Sequence, residues 1–239
     1  MTNKRKVSRR KKINVSSDFH LFLQQIDTNY RQQLAVLPLF NRAITSTWDD
    51  NRKKYFAAVF YHLRGYFIDF MWYVANFTED EEIKDIILQN IQEELGTKSR
   101  TSHEKLYAQF AEECGVNIHD EIVNKTHYLP FAKEFNQEHL RWLTQHDKHS
   151  HLAAFSAYER LDNIDYPLLT EFAYSLDLSE KAMKFFKVHV YVKHFESTQD
   201  HLIDIWQTSP KTVREAFNFI YSHQLNMWQT LSNAIMAYS

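Results

Sequence analysis

Thirteen histidines and thirty carboxylates are spread along this 239-residue chain, and a few of them fall at spacings that metal or acid–base chemistry can use. In His189-Val-Tyr-Val-Lys193-His194-Phe-Glu196, positions 189, 193 and 196 share one face if the segment is helical. His194 and His201 share another face, and each set can give two ligands to a metal. Glu93 and Glu94 precede a glycine turn at Gly96, and His103 follows it. Glu159 stands alone among apolar neighbours in Ala153-Ala-Phe-Ser-Ala-Tyr158-Glu159. A carboxylate in such a setting needs a cation, a metal or a proton, because removing an unpaired charge from water is costly. Blander readings stand beside these. Thirteen histidines produce close pairs by chance, His146, His149 and His151 fit a polar loop, and His194 and His201 fit a surface. Glu93 fits a solvated helix end, and Cys114 fits a small buried side chain.

Helices are what must position these groups. Apolar residues recur at helical spacing along most of the chain, and two-residue alternation is scarce. With only 3 Gly and 4 Pro, a β-sandwich, barrel or glycine-rich nucleotide fold lacks its turn residues. The spacing predicts a first helix over Phe19–Tyr30, a short one at Pro38, and a long one from Arg52 to Phe77 capped by Asp49 or Asp50. Along that long helix, Tyr55, Val59, His62, Tyr66, Asp69 and Tyr73 form one stripe, either a pocket wall or a core face. Thr78 with Glu81 reads as a capping box for a helix to Leu95, stopped at Gly96. Ser102 caps a helix to Cys114 and Gly115, and another runs near His119–Lys125. Pro130 opens one to Thr144, Leu152–Leu161 forms a compact helix, and Tyr166-Pro167 begins the next. Ser179 caps a helix from Glu180 to Trp206, and Ser209-Pro210 opens the last, to about Tyr238. No repeat or long linker divides the chain, so residues 15–239 read as a single all-α bundle.

Charge and composition bound the partners. The net charge is −2, but Lys4, Arg5, Lys6, Arg9, Arg10, Lys11 and Lys12 crowd the first 14 residues, which read as a basic disordered tail. Without those seven, 21 basic residues face 30 acidic ones, and so acidic a body argues against a nucleic-acid partner. A single cysteine excludes an internal disulfide. No long uncharged apolar run suggests a membrane span, and no signal peptide is evident, so the expected location is the cytoplasm.

The order Asn90-Ile-Gln-Glu-Glu94-Leu-Gly96, then His103-Glu-Lys-Leu, the alanine-rich stretch ending at Glu159, and Phe185-Phe-Lys-Val-His189 resembles the haem-oxygenase-like superfamily. More narrowly, it is similar to the TenA/PqqC branch and the iron-containing oxidases within it, over roughly residues 35–238. The resemblance implies a bundle of about seven main helices, a buried pocket, no haem and a homodimer. In the metal-binding relatives a carboxylate precedes the glycine turn and a histidine follows it, positions taken here by Glu94 (or Glu93) and His103. A glutamate on the alanine-rich helix matches Glu159. The late His-x3-Asp-x2-His pattern reads here as His189, Lys193 and Glu196. Glu196 remains an oxygen donor suited to iron or manganese, whereas a protonated Lys193 cannot ligate and places a positive charge near the site.

The resemblance therefore implies an iron-dependent oxidase or oxygenase of a small organic substrate, using dioxygen. Glu94, His103, Glu159, His189 and Glu196 are the implied ligands. Lys193 is a group to steer a carboxylate substrate or stabilise a reduced oxygen species, and Tyr66 and Tyr158 are pocket phenols. The Lys193 departure leaves two metals, one, or none as outcomes. With none, a metal-free small-molecule-binding or cofactorless protein remains. Thiaminase chemistry needs a nucleophilic cysteine at a place that Cys114 does not occupy.

Overall fold

The structure is a computed structural model that describes residues 3–97, 100–191 and 195–238, with side chains from residue 17 onward except that of Tyr191. Lys193 and His194, and the basic side chains of the N-terminal segment, lie outside the described residues. Twelve α-helices occur among those described, where the resemblance implied about seven. They are α1 (Asn3–Ala35), α2 (Arg42–Thr45), α3 (Asp50–Arg64), α4 (Phe67–Phe77), α5 (Glu81–Glu94) and α6 (His103–Glu113). The second half holds α7 (Ile118–Asn124), α8 (Pro130–Thr144), α9 (Lys148–Ser175), α10 (Glu180–Tyr191), α11 (Phe195–Thr208) and α12 (Pro210–Ala237). No helix among the described residues is long and apolar enough to cross a membrane.

Helix α9 is the axis of the bundle, packed by α12, α10, α11 and α4. Its first half explains this: every side chain from Leu152 to Glu159 is buried, and Ala153, Ala154, Ser156 and Ala157 are small enough to let neighbouring helices come close. A helix buried on all sides shows little one-sided patterning. For that reason the sequence suggested two helices here, broken near Pro167. The structure keeps one. Proline removes the bond to the Asn163 carbonyl, at a cost of about 3 kcal/mol. The flanking burial of Ile164, Leu169, Phe172 and Ala173 against α10 and α12 outweighs that cost.

The opposite correction applies at α3 and α4, expected as one helix. Helix α3 closes at Gly65, whose N–H donates to the Tyr61 carbonyl at 2.9 Å, and Tyr66 begins the next. Thr78 is not a cap for α5. Its hydroxyl donates back to the Val74 carbonyl, and Asp80 instead accepts from the backbone N–H groups of Glu82 and Ile83. The aromatic residues fill the space between these rods. Phe56, Phe70, Phe110, Phe155, Phe185 and Phe186 are fully buried, and Phe110 meets Phe186 edge-on at 4.9 Å. Tyr107 lies among them and donates its hydroxyl to the Ala57 carbonyl at 2.6 Å, tying α6 to α3.

Candidate metal centre and cavity

Three of the sequence-derived ligands meet. Glu94, His103 and His189 present ligand atoms within 4.8 Å of one another. Glu94 is the last residue of α5 and His103 the first of α6. The connection folds back because Gly96 sits at φ +71°, and its N–H and that of Thr97 donate to the carbonyls of Glu93 and Gln92. Ser102 then caps α6 by accepting from the Lys105 N–H. His189 comes from α10, which is packed against α6 and α9.

Hydrogen bonds fix which imidazole nitrogens are free. His189 Nδ1 lies 2.7 Å from the Phe185 carbonyl, which can only accept, so Nδ1 carries the hydrogen and Nε2 keeps its lone pair. Burial, and then the neighbouring His103, push His189 down to about 3, so it is neutral at physiological pH. Its ring stacks on Tyr166, with centroids 4.0 Å apart and planes 5° from parallel. His103 Nδ1 donates to Glu94 Oε1 at 2.7 Å, which leaves Nε2 as the nitrogen turned away from Glu94. Burial alone would raise the Glu94 carboxyl. The hydrogen bond and charge of His103, with the Arg64 guanidinium, bring it down to about 2 instead. Arg64, at the end of α3, spans Glu94 at 3.3 Å and Glu104 at 3.4 Å over the rings of Tyr107 and Phe185. An ionised carboxylate and two imidazoles that are each held through Nδ1, leaving Nε2 to point elsewhere, fit a divalent transition metal.

These residues line a cavity of about 270 Å³. Its apolar wall includes Phe60, Leu63, Phe67, Met71, Leu169 and Met227. Glu159 lines it too, outside the group of three, and accepts from the Asn90 amide at 3.5 Å. Burial, then Asp162 and Glu94, raise the Glu159 carboxyl well above the usual range, which favours its protonated form. Tyr158 is on the wall and shares a 3.2 Å hydrogen bond with His139 Nδ1.

Two of the expected site residues are not brought to the cluster or the cavity wall. Glu196 is exposed in the first turn of α11 and does not join the group. Helix α10 is described to Tyr191 and α11 from Phe195, and Glu196 faces solvent while His189 lies beside Glu94 and His103. Tyr66 is not part of the cavity wall. It stacks on Tyr128, which stacks on His62, and His62 bonds Glu121 at 2.9 Å. That side cluster takes up His62 and Tyr66, and none of the six stripe residues is on the cavity wall.

Sequence reading missed Arg64, His139, Asp162, Asp165 and Gln224, all on the cavity wall. The acids had a signal: 159, 162 and 165 recur every three residues on one helix. Burial raises Asp162 to about 7, with Glu94 adding to it, and raises Asp165 well above the usual range. A carboxyl raised in the fold contributes stability below its unfolded value that is lost as pH rises through its folded value. The buried histidines at 139, 189 and 223 are lowered, so their effect is confined below pH ~6.5. From about pH 6.5 to 8 the carboxyls therefore dominate, and the metal-free protein should lose on the order of 1 kcal/mol through Asp162. Urea unfolding at the two pH values, in chelator, measures this, and equal or greater stability at the higher pH would contradict it.

The fold and site define an all-α bundle in which two histidines and a carboxylate meet on the wall of a cavity. Residues 54–205, more than half of the chain, match the family described as iron-containing redox enzymes, and the chain belongs to that family. The fold is also that of a CADD-like protein of unknown function from Nostoc punctiforme, seen in two crystal structures. One matches at 15% identity and TM-score 0.65 over 91% of this chain and 97% of that one. The other matches at 16% identity and TM-score 0.67 over 91% and 100%. No curated protein matches the chain.

Proposed function

We propose that the protein is an iron-dependent oxidase or oxygenase that acts with dioxygen on a small organic molecule held in this cavity. The observation that carries the reading is the meeting of Glu94, His103 and His189 on the cavity wall. Two imidazoles and one carboxylate are the donor set that non-haem iron(II) takes when positions stay open for other ligands. Bound there, iron, or manganese in its place, would supply the electron transfer with dioxygen that side chains lack.

The protein's own groups do the rest. The Glu94 carboxylate and the Phe185 carbonyl orient the two imidazoles through their Nδ1 hydrogens. Arg64 holds Glu94 ionised and in place. Phe60, Leu63, Phe67 and Met71 keep water from one side of the cavity. Tyr158 and His139 form a hydrogen-bonded pair able to hold a proton at the phenol oxygen, and Glu159 holds another.

The test is metal analysis of protein expressed in iron-rich medium. About one iron or manganese per chain is expected, and none above background would end the reading. A metal-free small-molecule-binding protein is the second reading. It draws on Arg64 and His103, which between them already engage both oxygens of Glu94. The same measurement separates the two.

A further inference from the structure

The end of the cavity formed by α9 and α12 presents two buried side-chain oxygens that no protein group meets. Asp165 is 2% exposed, and its Oδ2 takes hydrogen bonds from the Trp228 indole at 3.0 Å and the Tyr30 hydroxyl at 3.2 Å. Its Oδ1 is buried and has no partner. Gln224, 4% exposed, donates its amide to Asp162 Oδ1 at 3.3 Å, and its Oε1 is also buried without a partner. Both residues line the cavity, beside Asp162 and Glu159. A buried acceptor left unmatched costs about 1–3 kcal/mol, so two in one wall call for a donor. Among the described lining residues the one lysine or arginine is Arg64, and Glu94 and Glu104 already engage it.

We propose that this end of the cavity binds the primary ammonium group of a small amine whose apolar body lies against Leu63, Phe67, Met71, Leu169 and Met227. An ammonium brings three donors to the carboxyls and the amide oxygen, and its positive charge favours the ionised carboxylates that burial alone disfavours. A neutral hydroxyl brings one donor. A carboxylate brings further acceptors and a charge of the wrong sign. The volume of about 270 Å³ suits one ring or a short chain. The inference rests on reading this cavity as the substrate site, and it runs opposite to the carboxylate steering that Lys193 suggested.

Its test uses the full chain with metal removed by chelator, so the result does not depend on iron. Binding of 2-phenylethylamine, 2-phenylethanol and phenylacetate is measured by calorimetry, with quenching of the Trp228 indole, which lines the cavity, as a second signal. The amine should bind at least ~10-fold more tightly than the alcohol, and phenylacetate more weakly than either. Gln224→Met, which leaves the Tyr30 and Trp228 bonds to Asp165 untouched, should cut the preference to ~3-fold or less. Asp165→Asn should cut it likewise. Equal binding of amine and alcohol, tighter binding of phenylacetate, no binding of any probe, or a preference that survives both substitutions would overturn the proposal. Iron content, read separately, tests the metal and leaves this outcome unaffected.

Discussion

Replacing His189 with alanine should strip the protein of its metal while leaving the bundle folded. Of the three clustered ligands, His189 alone comes from α10, so it closes the set from the side opposite the α5–α6 connection. Its imidazole is held from two directions, by the Phe185 carbonyl and by the face of Tyr166. Nothing else described on α10 replaces it. Glu94 and His103 remain, and two donors bind a divalent ion far more weakly than three in fixed positions. Disturbing a group that merely orients a ligand costs roughly 10–100-fold in metal affinity, so losing the ligand itself should cost at least ~100-fold. Elemental analysis after expression in iron-rich medium should then read background. The fold should survive, because α10 is anchored by Phe185 and Phe186, both fully buried, and Glu94 keeps Arg64. Tyr166→Leu is the companion. It removes the stacking face and leaves the ligands, so iron should bind more weakly but still be detected. Iron retained at the parental level in His189→Ala would remove this residue from the centre.

The outcome depends on features that differ in how far they can be read from sequence. Helix ends written in local chemistry were legible: Ser102, Pro130 and Ser209-Pro210 open their helices, and Gly96 and Gly115 both take positive φ. Each depends on atoms only a few residues apart. Helix continuity was not legible at Pro167, or between α3 and α4, because packing from distant segments decides it. The site divides the same way. Glu94, His103, Glu159 and His189 could be picked out by their order along the chain, and three of them cluster. Glu196 shares a face with His189 by helical spacing, yet it is exposed in the first turn of α11 and stays outside the group. Arg64 and Gln224 carry no signal in their own neighbourhoods. Their importance arises only where α3 meets α5 and where α12 meets α9.

Gly96→Ala should damage the fold and the metal centre together, and Gly115→Ala should do neither to the same degree. Both glycines end a helix in the left-handed region, at φ +71° and φ +79°, with the paired backbone hydrogen bonds of the same C-terminal motif. For each, an alanine meets left-handed strain of about 1 kcal/mol. The surroundings differ. At Gly115 the added Cβ would meet only the Lys54 Cδ, at 3.9 Å, the movable part of a long side chain. At Gly96 it would lie 2.2 Å from the Ser102 backbone nitrogen, 2.5 Å from its Cα and 2.7 Å from the Thr101 carbonyl carbon. No rotamer relieves a clash with backbone, so the chain at Ser102 has to move. Ser102 is the cap of α6, and His103 follows it directly, bonded to Glu94. The total cost should reach about 3 kcal/mol or more for Gly96→Ala. Thermal unfolding should show the larger fall for Gly96→Ala, and its iron content should drop while that of Gly115→Ala stays parental. Equal melting losses with iron retained in both would mean that the return of the chain over Gly96 does not set the His103–Glu94 contact. Both effects in Gly96→Ala alone would tie the metal centre to a single missing Cβ in the turn between Glu94 and His103.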